Sequence, residues 1–156
     1  MATTKDAIQA ERAEYAAAFN DEPKRVIGYP VRSKLYPGED SYFKANPRVA
    51  GMAADDGAVV LNPYSTLSQQ EKDAVALNEA YRLHMREMGY EPRGKLSDDQ
   101  AKFFKGTEYE KNPGAAYQSI LARILSGDPS ANATDEQAME AEQLKVLVDR
   151  RARSMR

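Results

Sequence analysis

Residues 78–89 read NEAYRLHMREMG and carry the only histidine of the chain, His84. How this stretch is read decides the fold. A zinc-protease helix sets two histidines four apart, so that both imidazoles reach one ion, with a glutamate after the first. Here Asn78 holds the first ligand position and His84 follows six residues later. At about 100° per residue those side chains diverge by about 240°. Glu79 and His84 are five apart and diverge as well. What does recur at helical spacing is Ala74, Leu77, Tyr81, His84 or Met85, and Met88, an apolar stripe. The stretch therefore reads as a packing helix with His84 beside the core. Ser68 and Glu71 form a capping box upstream and open one helix that should run to Met88, with Gly89 as the stop. Glu79 and Arg82, three apart, read as a surface or partner ion pair.

The same punctuation recurs along the chain. Ser97 and Gln100 form a second capping box, opening a short helix through Phe103 and Phe104. Asn112 and Pro113 give an N-cap and a proline at the first helical position of a segment that ends at Gly127. Its Tyr117, Ile120, Leu121, Ile124 and Leu125 make the strongest apolar face in the chain. Thr134 and Gln137 open a last helix with Ala141, Leu144, Val148 and Ala152 on one stripe. In RVAGMAADDGAVVLNP, residues 48–63, two short apolar runs flank Asp55, Asp56 and Gly57, the chemistry of a tight β-hairpin turn.

The N-terminal third reads differently. Residues 4–20 suit a helix capped by Thr3 and Asp6, with Ile8, Tyr15 and Phe19 on a narrow stripe that would dock on a partner. Residues 24–47 contain Pro30, Pro37, Pro47, Gly28 and Gly38, which predicts extended chain with turns running over a surface. The expected fold is mainly α (α+β): a small helical domain with one β-hairpin, an extended proline-rich N-terminal arm and terminal helices. The expected divisions are 1–47 for the helix and arm, 48–130 for the central domain and 131–156 for the C-terminal helix.

Composition limits the chemistry. There is no cysteine, so disulfides, thiolate metal sites and cysteine catalysis are excluded. No run approaches the roughly 18 apolar residues of a membrane span, and MATTKDAIQAERAE is too charged for a secretory signal. The expectation is a chain with no membrane partner, used where it is made. The 42% apolar fraction includes 24 alanines, while Val, Ile, Leu and Phe together number 26 of 156. The core is thin for this length, and arms that need a neighbour to bury them are expected.

No nucleophile elbow, phosphate loop or dinucleotide fingerprint occurs, and a serine triad would have only His84 to use. Asp55–Asp56 falls in a turn and Asp98–Asp99 in a first helical turn, where the dipole favours acid. No catalytic residue, metal, cofactor or small-molecule substrate is expected. Two basic regions stand out. Lys24, Arg25, Arg32 and Lys34 alternate with Tyr29 and Tyr36, a strip that can follow phosphates or lie on an acidic neighbour. The last helix begins acidic and ends with Arg150, Arg151 and Arg153, a pattern that suits the helix dipole or an anionic partner. A sequence pI near 5.5 argues against nucleic-acid binding over the whole surface.

Three stretches, YPGEDSYFKANPRVAGMAADDGAVVLNPYSTLS, NEAYRLHMR and ILARILSGDPS, resemble small proteins encoded among the structural genes of tailed bacteriophages. The resemblance spans roughly residues 35–132 and carries no motif of known chemistry. It implies a non-enzymatic structural or accessory component of the virion, in host cytoplasm before assembly. Such a protein would bind neighbouring capsid or tail subunits in a multi-copy assembly through its arm and terminal helices, with packaged DNA a possible contact. The alternative is a small nucleic-acid-binding protein using the 24–36 strip and the cationic C-terminus. A third reading is a hydrolase with an unrecognised site.

Overall fold

A computed structural model describes residues 24–32 and 34–155. The expected helix at 4–20, with Ile8, Tyr15 and Phe19, lies outside them. The described chain is α+β: strands β1 (Arg25–Val26) and β2 (Tyr29–Arg32), helix α1 (Pro37–Ala45), strands β3 (Gly51–Ala53) and β4 (Val59–Leu61), then helices α2 (Gln69–Met88), α3 (Asp98–Phe104), α4 (Pro113–Leu125) and α5 (Asp135–Ser154). Short 3-10 turns sit at Glu108–Lys111 and Pro129–Ala131.

Helix α2 is the axis of the molecule. Ser68 Oγ accepts from the Glu71 backbone N–H, and the Glu71 carboxylate accepts in return from the Ser68 N–H. Gly89 closes the helix in the left-handed region at φ +62°. Tyr81 and Met85 pack with Tyr117, Leu121 and Ala122 of α4 and with Ala141, Leu144 and Val148 of α5. A second face, Ala76, Ala80 and Leu83, packs on Tyr29, Val31 and Val59 of the sheet. The expected stripe describes only the first of these faces. The second is built largely from alanines, whose small side chains let the sheet backbone come close. A Cβ added at Gly51 would sit 3.0 Å from Val75 Cγ1 and from the Val60 carbonyl.

The sheet runs β1-β2-β4-β3. The expected hairpin is present: β3 and β4 pair antiparallel, Met52 opposite Val60, around a turn with Gly57 at φ +79°. The segment 24–47 corrects the sequence reading. It is not an arm laid over a surface. Its first part is a hairpin, with Val26 opposite Tyr29, and β2 then joins β4 in parallel, Val31 beside Val59. Its second part is helix α1. Pro37 occupies the first helical position, where no N–H is needed, and the Glu39 carboxylate accepts the Tyr36 backbone N–H at 2.8 Å. Phe43 of α1 packs with Ala54 and Val60. Residues 24–47 and helix α5 thus share one body with the centre, and boundaries at 47 and 131 separate no independent core.

Glu140 on α5 ties the irregular 89–97 connection down. Its carboxylate accepts from Tyr90 OH at 2.7 Å, Tyr117 OH at 3.0 Å, and the backbone N–H groups of Arg93 and Gly94 at 2.9 Å each. Burial alone would raise this carboxyl, but the four donors hold it below its ordinary range. A side chain at residue 94 would collide with the Tyr117 phenol, which explains the glycine there.

Candidate interaction surface

The basic–aromatic strip does not survive as a strip. Strand pleating sends alternate residues to opposite faces, and β2 is covered on both, so Tyr29 and Arg32, three apart and on opposite faces, are the two strip residues that are buried. Arg32 is only 2% exposed. Its Nη1 and Nη2 donate to the two oxygens of Glu39 at 2.7 Å each, Nη1 also reaches the Lys34 carbonyl at 2.6 Å, and Nε lies 3.2 Å from Asp56 Oδ2. The Tyr36 ring lies 4.4 Å beneath the guanidinium. Arg32 thus clamps β2 to α1 and to the β3–β4 turn. Tyr29 is buried as well. Lys24, Arg25 and Lys34 remain exposed, and Lys24 lies 3.7 Å from Asp73.

The two basic regions, more than a hundred residues apart in sequence, meet at the β1–β2 turn. Arg151 Nη1 donates to Tyr29 OH at 2.8 Å and to His84 Nδ1 at 2.9 Å, and its Nη2 reaches Glu87 Oε2 at 2.7 Å. Tyr29 OH donates to the same Glu87 oxygen at 2.8 Å. A guanidinium only donates, so His84 Nδ1 must accept. The ring proton therefore sits on Nε2, which donates to the Ile27 carbonyl at 2.7 Å. His84 is a fully buried neutral imidazole. Burial, with the Arg151 charge added, pushes its pKa below the ordinary histidine value. Burial and the Glu87 contact push the Tyr29 phenol up to about 12.

The carbonyl that His84 holds belongs to a strained residue. Ile27 and Gly28 are the two central residues of the β1–β2 turn, at φ +39° and +90°. This is the handedness that hairpins favour, but it is unfavourable for a β-branched residue. Gly28 is needed twice over, for its φ and because a Cβ there would lie 3.1 Å from Met155 Sδ and 3.3 Å from Ala152 Cα. His84, Arg151 and the packed end of α5 together hold the turn. Nothing in the Ile27 side chain announces this; the Gly28 signal is visible in the sequence.

What α5 does not bury is its outer face. Gln137, Glu140, Ala141, Leu144 and Val148 point to the core. Opposite them, Met139 is 64% exposed, Val146 56% and Leu147 44%. At about 100° per residue, Met139, Gln143, Val146 and Arg150 fall within about 60° of one another. Arg150 and Arg153 are exposed and extend this face toward the C-terminus, while Arg151, one residue over, turns into the body. The expected cationic cluster is therefore divided. Arg25 and Arg153 flank a shallow depression with Gly28 and Asp149, which is where the outward members of the two basic regions come together.

On α2 both ring nitrogens of His84 are engaged, Nδ1 by Arg151 and Nε2 by the Ile27 carbonyl. Among the described residues, no three His, Asp or Glu side chains converge as metal ligands, and no helix is long and apolar enough to cross a membrane. The expected Glu79–Arg82 ion pair is not formed. Arg82 instead donates to Asn78 Oδ1, Tyr109 OH and Ser119 Oγ. Comparison with family models, with curated proteins and with solved structures finds no match to this chain.

Proposed function

We propose that this chain is a non-enzymatic structural or accessory component of a tailed-phage particle, docked on a neighbouring subunit through the outer face of α5. The observation that carries the reading is the stripe Met139–Val146–Leu147, continued by Arg150 and Arg153. The fold has already closed its own core on the opposite side of the same helix. Apolar residues rimmed by charge are the composition of a protein contact. The resemblance of residues 35–132 to phage structural-gene products supplies the setting. The segment 24–47, expected to reach across to neighbours, packs within its own sheet where it is described, so the reading rests on α5. The test is particle content: the chain should sediment with purified virions at a fixed stoichiometry. The double variant Met139→Glu, Val146→Glu should abolish incorporation while leaving the unfolding midpoint nearly unchanged. Absence of the wild-type chain from particles would sink the proposal.

One observation favours a second reading, nucleic-acid binding. Arg25 and Arg153 come together around Gly28, with Arg150 nearby on the same helix. That reading requires a salt-dependent shift of a DNA fragment that is lost in Arg25→Ala, Arg150→Ala, Arg153→Ala.

A further inference from the structure

A cleft of about 760 Å³ opens between one face of α2 and the end of α4 with its succeeding loop. Asn78, Glu79 and Arg82 line one wall; Arg123, Ser126 and Asp128 line the other. The cleft lies apart from the outer face of α5, so a ligand there is independent of a partner docked on that helix.

The charges in this cleft are left over from folding. All three hydrogen bonds of Arg82 go to neutral acceptors, at 2.7 Å to Asn78 Oδ1, 3.0 Å to Tyr109 OH and 2.8 Å to Ser119 Oγ. They hold the guanidinium rigidly without neutralising it. Arg123 is more telling. Its guanidinium carbon lies 4.7 Å over the Phe103 ring, yet among the described residues it makes no hydrogen bond and no ion pair. A guanidinium presents five N–H donors, and none of those of Arg123 is a buried atom left unpaired: they open onto the cleft, unused by the fold. Burial and the Arg82 charge push its pKa down; Asp128 opposes them. Glu79 shows the converse. It is half-buried with no hydrogen bond or ion pair among the described residues, and burial pushes its carboxyl up against the pull of Arg82.

Elsewhere this protein matches its charges closely, as at Arg32, Arg151 and Glu140. Two cations and one acid without such partners, facing one cavity, mark a place where matching groups come from outside. We propose that this cleft binds a small ligand bearing an oxyanion, received by Arg123 with Arg82 behind it, and an ammonium or hydroxyl donor received by Glu79. Ser126 Oγ, already donating to the Arg123 carbonyl at 3.2 Å and accepting from Asn78 Nδ2 at 3.4 Å, ties the two walls together at this point. The oxyanion can be a phosphate or a carboxylate, since a planar fork accepts either.

The test uses three probes on the full chain: inorganic phosphate, phosphoethanolamine and β-alanine. Amide resonances are tracked by NMR, with affinities from the titrations. Phosphoethanolamine should perturb the amides of 78–82 and 123–130 and bind at least about tenfold tighter than inorganic phosphate. A tighter response to β-alanine would assign the oxyanion as a carboxylate. Arg123→Gln should weaken every probe about tenfold or more. Glu79→Gln should erase the advantage of the ammonium-bearing probe and leave inorganic phosphate binding as tight or tighter. If Arg123→Gln does not fold, Arg123→Lys keeps the charge and stem but loses the fork, and should still weaken binding. Shifts scattered over the surface, no shifts at 20 mM of any probe (on the order of the weakest useful affinity), or unchanged affinity in the Arg123 variants would overturn the proposal.

Discussion

Arg32 and Arg151 invite comparison. Each lies in a basic run, and each run reads as a surface for an anionic partner. Both side chains instead turn into their own protein, but to different depths. Arg32 is 2% exposed and meets two carboxylates, Glu39 and Asp56. Arg151 is 29% exposed and meets one carboxylate, Glu87, together with a phenol and an imidazole. The difference lies in their elements. Arg32 ends β2, which is paired on both sides, and it faces Glu39 of α1. Arg151 sits on the last turns of α5, where water reaches one flank. A run of positive charge is thus no guide to a surface until the backbone has decided where each side chain points.

The comparison breaks most visibly at Arg32. Removing one partner of a buried pair strands the others, so Arg32→Ala should cost about 3–5 kcal/mol in urea unfolding. Arg32→Lys should recover only part of this, because an ammonium cannot bridge both Glu39 oxygens. A loss below about 1 kcal/mol for Arg32→Ala would show that the clamp carries no stability. Arg151→Ala should cost less, about 1–2 kcal/mol, since solvent screens the Glu87 contact. That loss should shrink in molar salt, whereas the Arg32 loss should not.

A pH titration sharpens the Arg151 side. His84 takes up its proton at lower pH in the folded protein than in the unfolded chain. As pH falls below the unfolded value of about 6.5, the unfolded state gains a proton that the native state refuses, and stability declines. Above that pH His84 contributes a constant term. His84→Gln should flatten this part of the profile, while Arg32 variants should shift the whole curve without changing its slope there. The smallest effect belongs to the outward arginines. Arg150→Ala and Arg153→Ala should leave stability within about 0.5 kcal/mol while weakening whatever binds the outer face of α5.

Helix boundaries are legible because their causes are local. Ser68 with Glu71, Ser97 with Gln100, Asn112 with Pro113 and Thr134 with Gln137 each cap a helix at the expected place. Asp56 and Gly57 turn the expected hairpin. Helix α1 escapes the sequence because Pro37 and Gly38 count as breakers anywhere except in a first turn, and the Tyr36–Glu39 contact that makes them a start has no serine or threonine to announce it. The β1–β2 hairpin escapes it because Ile27 is a poor residue for its turn. It adopts φ +39° with the His84 bond and the end of α5 in place. The cleft at Arg82 and Arg123 is illegible for a related reason. Those residues are 41 positions apart, and the fact that sets them apart, charge without an internal partner, exists only after packing.

Sequence alone determined where most helices of this protein start and stop, since a cap, a proline or a glycine acts within four residues. It also determined that Asn78, Glu79 and His84 could not adopt the zinc-protease arrangement, since angular spacing comes from the helical repeat. Tertiary structure decided everything that depends on direction. It placed α2 between the sheet and α4–α5, so that two faces of one helix are buried. It turned Arg32, Tyr29 and Arg151 inward and left Arg150, Arg153 and the Met139–Val146 stripe outside. The physical reason is range: capping is settled between neighbours, whereas burial and charge matching are settled between residues that only the folded chain brings together.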